Sequence, residues 1–203
     1  MRKYLVISLL ASYSIVFAGE SEDFKAVDNL YKERNFKAAL VESEKFLQKY
    51  PESKHQKSMR DKVAKIYFLE KNYKKAEEIF KKLFTMEEKQ SQKDEYASYL
   101  ARANALLNNP DAAMFYVKEI KDKKTFQKTF FAVAQNFLAK ENNEAAQKAY
   151  KEIIDNKYEN YKESMMGLGI VYYNLKDYDK AIYWLSEYSK EMPKENKEMV
   201  SYL

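Results

Sequence analysis

The stretch LGIVYYNLKDYDKA, from Leu168 to Ala181, decides the architecture of this chain. It opens on a large and a small residue (Leu168, Gly169), carries an aromatic three places after the small one (Tyr172), turns at Lys176-Asp177-Tyr178, and closes on Ala181. The closing alanine recurs as Ala39, Ala76, Ala113, Ala146 and Ala181, at intervals of 37, 37, 33 and 35 residues. Another small residue stands twelve places before four of them: Ala64, Ala101, Ala134 and Gly169. A period of this size is that of stacked helical pairs, each of which buries its apolar face only against its neighbours. Where both helices of a pair lack bulk they approach closely, and the aromatic beside the small residue fills the remaining gap.

Composition agrees. Three glycines and three prolines in 203 residues cannot supply the turns of an all-β fold, whereas Ala, Leu, Lys and Glu are strong helix formers. Breaks fall at Asn35-Phe36, Tyr50-Pro51, Asn72-Tyr73, Asn108-Asn109-Pro110, Glu141-Asn142-Asn143, Asp155-Asn156 and Lys176-Asp177-Tyr178, where Asn and Asp cap helices or tolerate a left-handed turn. Between them, apolar residues recur three and four apart, as in Val63, Ile66, Tyr67 and in Ile79, Phe80, Leu83. The reading is all-α, with ten helices in about five hairpins. The units span about 24–50, 54–87, 91–122, 124–156 and 159–191. Residues 193–203 read as the start of a terminal helix, and Met192, Met199, Val200 and Leu203 give that end an apolar edge.

The first eighteen residues read as a leader. Arg2 and Lys3 precede an uncharged run from Leu5 to Phe17, and Val16-Phe17-Ala18 places small residues at the −3 and −1 positions of a cut before Gly19. This is the pattern of a secretory signal peptide, with an apolar run too short for a comfortable membrane span. The expected mature chain, 19–203, is a soluble exported protein. With no cysteine there is no lipid-attachment site, disulfide or thiolate metal site, and the lone His55 gives zinc spacings no material. No metal or cofactor is expected.

Lys plus Arg number 36 against 31 Asp plus Glu; without Arg2 and Lys3 the balance is 34 against 31, about +3. Such mixed charge describes a solvated surface, not a nucleic-acid footprint. The carboxylate pairs Glu77-Glu78 and Glu87-Glu88, with Asp177 and Asp179, fall on exposed helix faces or turns. No nucleophile and base stand in a catalytic arrangement, so no enzyme is expected.

The spacing of Leu168, Gly169, Tyr172, Tyr178, Ala181, Tyr188 and Pro193, and of Val63, Ala64, Tyr67, Tyr73, Ala76 and Leu83, resembles the tetratricopeptide repeat. Units three and four depart from it, with Asn104 at the aromatic position and Pro110 or Asn143 replacing the turn aromatic. Unit one has Val27 where a small residue belongs and looks like an atypical cap. The resemblance implies a right-handed superhelical solenoid whose first helices line a concave protein-binding groove. Asn35-Phe36-Lys37-Ala38-Ala39 with Tyr50-Pro51-Glu52-Ser53 further resembles the exported bacterial branch that includes the barrel-assembly lipoprotein BamD and the Tol–Pal-associated periplasmic coordinator. The lipid-attachment cysteine of the one and the coiled coil of the other are missing. What this implies is a periplasmic scaffold for protein or peptide partners in the cell envelope, with a place in outer-membrane or envelope assembly.

Carrying over the repeat's inward positions selects Phe24, Asp28 and Tyr31; Asp61, Lys65 and Phe68; Ser98, Arg102 and Ala105; Phe131, Gln135 and Leu138; and Met166, Ile170 and Tyr173. The partner-binding residues expected from this set are Tyr31, Lys65, Phe68, Arg102, Phe131, Gln135, Met166 and Tyr173. Lys65 and Arg102 hold the same position in successive units, which suits a carboxylate or acidic side chain. The family's Lys and Asn clamp is not reproduced, since Asp61 sits where a clamp lysine belongs. A different class of partner, peptidoglycan or another glycan, is offered stacking faces by Tyr172, Tyr173, Tyr183 and Trp184.

Overall fold

The computed structural model describes residues 19–191, so the expected leader (1–18) and the apolar segment at 193–203 lie outside the described residues. Those described are all-helical, with no strand among them. The helices are α1 (19–32), α2 (Phe36–Lys49), α3 (Gln56–Leu69), α4 (Tyr73–Met86), α5 (Gln90–Leu106), α6 (Pro110–Glu119), α7 (Lys123–Ala139), α8 (Asn143–Asp155), α9 (Tyr161–Asn174) and α10 (Tyr178–Glu191). None of them is long and apolar enough to cross a membrane. The chain divides into two compact units, one ending at Leu83 and the other starting at Phe84.

The period of the alanines has a backbone counterpart. Five residues adopt left-handed φ values at the same spacing: Arg34 (60°), Lys71 (61°), Asn108 (61°), Glu141 (57°) and Lys176 (62°). Each closes the first helix of a hairpin by a Schellman pair. Arg34 N–H reaches Tyr31 O and Asn35 N–H reaches Leu30 O; Lys176 N–H reaches Tyr173 O and Asp177 N–H reaches Tyr172 O. Carbonyls that the helix end would orphan are thereby satisfied. The next residue, Asn35, Asn72, Asn109, Asn142 or Asp177, then accepts from the repeat alanine's N–H and starts the second helix. Asn72, Asn142 and Asp177 also cap with their side chains, accepting from Lys75 N–H (3.3 Å), Ala145 N–H (3.1 Å) and Lys180 N–H (3.3 Å). The connection needs no glycine, at the cost of five side-chain-bearing residues in the left-handed region.

In the first unit, Val27 of α1 packs with Phe46, Tyr50 and Met59, and Phe24 and Leu47 lie against them. The Tyr50-Pro51-Glu52-Ser53 stretch ties this unit together. The Tyr50 hydroxyl donates to Asp23 (2.8 Å) and the Ser53 hydroxyl to Glu20 (2.6 Å), both on α1, while the Gln56 amide donates to Leu47 O and Tyr50 O. The motif that carried the envelope resemblance therefore performs a structural task here. His55 packs its ring on Phe24 at 4.0 Å.

In the second unit α5/α6, α7/α8 and α9/α10 form hairpins, α5, α7 and α9 are successive neighbours, and α8 packs on α9. Tyr96, Leu100, Phe130, Phe137, Tyr150, Ile153 and Leu168 are fully buried, and side chains of this size each contribute about 1.5–3 kcal/mol on burial. Asp94 on α5 is buried and holds the next hairpin in place. Its carboxylate accepts Lys121 N–H (3.1 Å) and Asp122 N–H (2.9 Å) at the entry to α7, and the Gln90 amide (2.6 Å) from one turn earlier on α5. Asn104, at the position where the repeat expects an aromatic, is buried and donates to Leu100 O. Glu87 corrects the expectation of exposed carboxylate pairs: it is buried and accepts Lys89 N–H at 3.0 Å.

Candidate functional site: a cleft between α7 and α9

The residues expected to bind a partner divide between the two units. In the first, Tyr31 is half-buried with its ring edge-on to Phe36 at 5.8 Å. Lys65 is half-buried and bonded to Asp61 at 2.8 Å, one helical turn earlier. Asp28 lies between Lys32 (2.5 Å) and Lys62 (3.5 Å), and these lysines, Lys32 foremost, hold its carboxyl below the usual range. Phe68 is only 8% exposed and packs edge-on against Tyr73 at 5.4 Å. A ring so placed closes the α3–α4 hairpin and has little surface left for a partner.

In the second unit Arg102 on α5 is half-buried, its guanidinium 5.9 Å from the Tyr99 ring centre and its backbone carbonyl facing the Asn136 amide at 3.4 Å. Lys65 and Arg102 belong to different units, and each already has neighbours of its own.

The remaining positions converge. Phe131, Gln135 and Leu138 on α7 and Met166 and Ile170 on α9 line one cleft of about 400 Å³, with Ala139, Glu163, Gly167 and the Tyr150 ring completing it. Three residues of the expected binding set (Phe131, Gln135, Met166) thus share a single concavity. Helical spacing explains the convergence: positions three and four apart on α7 and on α9 form stripes that face one another across adjacent first helices. Phe131 rests edge-on against Tyr150 at 6.4 Å. Burial pushes the Tyr150 phenol up to about 12, so it stays protonated at any physiological pH. Met166 and Ile170 are 37% and 38% exposed, a substantial apolar surface left open at the cleft wall.

Gly167 lets the Tyr150 ring form the floor. A Cβ there would lie 2.5–2.8 Å from three atoms of the Tyr150 ring, so only glycine lets α9 settle on that ring. Sequence reasoning missed it, because Gly167 falls two places before the repeat's small position, Gly169; a second glycine within one helix of an otherwise glycine-poor chain was the available signal. Tyr173 lies further along α9, 64% exposed and edge-on to Tyr178 at 5.8 Å. Tyr172, offered above as a stacking face, is instead buried and its hydroxyl accepts from the Gln147 amide at 2.7 Å.

Among the described residues no group of three or more His, Asp or Glu is placed to hold a metal ion. The arrangement is an apolar trough with one amide and one carboxylate on its rim.

Helical hairpins with a small-residue crossing and a trough between successive first helices define the class of tetratricopeptide-repeat folds. A family model described as the tetratricopeptide repeat matches residues 131–195, which include the α7 and α9 walls of the cleft. Three solved structures share the fold at low identity. The MamA protein is 16% identical with a TM-score of 0.63, covering 89% of this chain and 94% of its own. A tetratricopeptide repeat protein from Parabacteroides merdae is 12% identical with a TM-score of 0.61, covering 90% and 72%. YrrB, described as a TPR protein with an unusual peptide-binding site, is 15% identical with a TM-score of 0.56, covering 83% and 84%. Comparison with curated proteins finds no match.

Proposed function

We propose that this chain is a non-enzymatic, exported tetratricopeptide-type scaffold that holds segments of protein partners in the bacterial cell envelope. The observation that carries the reading is the α7–α9 cleft, an open apolar trough between two successive first helices. Peptide recognition in grooves of this kind draws on apolar anchors set in a rigid frame. A fold-level likeness to a protein described as having a peptide-binding site supports the same class of partner. The envelope setting is supported by Arg2-Lys3, the uncharged run to Phe17 and the Ala18-Gly19 junction. The likeness of residues 35–53 to BamD and the Tol–Pal coordinator extends it to outer-membrane or envelope assembly.

The test is cross-linking of the mature chain in envelope extract, beside a variant carrying Met166→Gln and Ile170→Gln. A protein adduct that forms with the native chain and is lost in the variant supports the scaffold. An adduct indifferent to the substitutions contradicts it, and retention on isolated sacculi with no protein adduct transfers the function to glycan binding. Mass spectrometry of the cellular protein tests export, with an N-terminus at Gly19 expected and an intact Met1 contradicting it.

A further inference from the structure

The charge at the α7–α9 cleft is the opposite of the one that Lys65 and Arg102 imply. Lys65 is occupied by Asp61, and Arg102 is half-buried beside Tyr99. In the α7–α9 cleft the one charged lining residue is Glu163, in the first turn of α9. It is exposed, and among the described residues it makes no hydrogen bond or ion pair. Its neighbour Lys162 feels the Glu163 charge but spends its hydrogen bonds on the Glu191 carboxylate (3.2 Å) and the Glu191 backbone oxygen (3.3 Å). A carboxylate thus borders a trough whose walls are Phe131, Leu138, Met166 and Ile170 and whose floor is a protonated tyrosine ring.

Resting on the scaffold reading above, we infer that this cleft takes a protein segment in which a large apolar side chain lies next to a lysine or arginine. The apolar side chain fills the trough over Tyr150, displacing water from the exposed flanks of Met166 and Ile170. The cation sits at the rim on Glu163, and the Gln135 amide, also exposed, is free to meet the segment's backbone. Charge complementarity selects against acidic segments, because a carboxylate brought to the same rim would face Glu163 with no cation among the lining residues to offset it.

The probe is a phage-displayed library of randomised octapeptides panned on the chain 19–203, in parallel on Glu163→Lys and on the neutral cleft variant Met166→Gln/Ile170→Gln, each checked for native helicity by circular dichroism. The expected result is enrichment of peptides pairing Leu, Ile, Met or an aromatic with Lys or Arg, lost on the cleft variant and shifted toward acidic peptides on Glu163→Lys. Against the best such peptide, Glu163→Gln should weaken binding about two- to fivefold, the range of an exposed ion pair. Enriched peptides that depend on Met166 and Ile170 but show no basic preference, or none that Glu163 controls, overturn this inference and leave the scaffold cleft standing. Peptides indifferent to the cleft variant, or no enrichment at all, overturn both.

Discussion

Alanine at position 167 should damage this protein, and alanine at 169 should not. Both glycines lie inside α9, where replacing Gly by Ala ordinarily gains about 1 kcal/mol of helix propensity. At 167 the new methyl would lie 2.5 Å from Tyr150 Cζ and 2.8 Å from both Cε atoms. Relief to an ordinary 3.4 Å contact requires α9 and the ring to part by roughly 0.6–0.9 Å. The ring cannot swing aside, because Tyr150 is buried and Phe131 lies edge-on to it. Overpacking of this kind costs about 1–3 kcal/mol, enough to cancel the propensity gain and leave a net loss of up to about 2 kcal/mol. At 169 the close atoms are Leu185 Cγ (2.8 Å) and Cδ2 (2.9 Å), the end of a half-buried side chain that can change rotamer, and the nearest backbone atom is at 3.5 Å. Gly169→Ala should therefore be neutral or slightly stabilising, whereas Gly169→Leu, too large for rotamer escape, should destabilise. The assay is thermal and urea unfolding of the chain 19–203. A deficit of 1 kcal/mol corresponds to about 2–4 °C at this size. Placing Gly167→Ala in a Tyr150→Leu background should restore the propensity gain. Equal behaviour of the two alanine variants, or no rescue by Tyr150→Leu, would refute the packing described for α8 and α9.

Other consequences follow from the turns and ion pairs. Replacing Lys71, Glu141 or Lys176 by glycine removes a left-handed penalty of about 1–2 kcal/mol and adds an unfolded-state entropy cost of about 0.5–1 kcal/mol, so each should stabilise by about 0.5–1 kcal/mol in urea titrations; destabilisation would mean that those side chains make contacts of their own. Asp94→Ala leaves Lys121 N–H and Asp122 N–H without their acceptor and should cost about 1–3 kcal/mol, seen as faster amide exchange at the start of α7. Asp23 is held below its ordinary 3.8 chiefly by the hydrogen bond from Lys49, then by that from Tyr50, and Asp28 chiefly by that from Lys32. With folded values depressed, their contribution is present above the unfolded value and lost as pH falls below about 4 through the folded one. Amide exchange should show α1 loosening in that acid window, and Asp23→Asn with Asp28→Asn should remove the pH dependence.

The hairpin order was legible because small residues and aromatics recur at a fixed period, and that period is the spacing at which the chain makes its Schellman turns. The turns themselves were only half legible. Asn and Asp announced the caps, but Arg34, Lys71, Glu141 and Lys176 carry the left-handed φ, and no propensity singles those residue types out. On α7 and α9 the inward positions carried over from the repeat led to the cleft: helical periodicity puts Phe131 and Gln135 on one face of α7, and the repeat register sets Met166 of α9 opposite them. Register alone could not distinguish an inward-facing ring from a hairpin-closing one, and so Phe68 was read as a groove residue although Tyr73, five residues on, covers it. Lys65 shows another limit. The Asp61–Lys65 spacing is the ordinary ion-pair interval on a helix, and it competes with any partner for the same ammonium.

Binding of a partner segment in the trough between α7 and α9 can be read directly by site-specific photo-cross-linking in the cell of origin. A photoreactive residue at Gln135, exposed on the cleft rim, should yield a covalent adduct with an envelope protein, and the same residue at Lys148, exposed on α8, should not. The adduct should disappear when Met166→Gln and Ile170→Gln are added. Adducts at Lys148 alone, or at both positions irrespective of those substitutions, would contradict it.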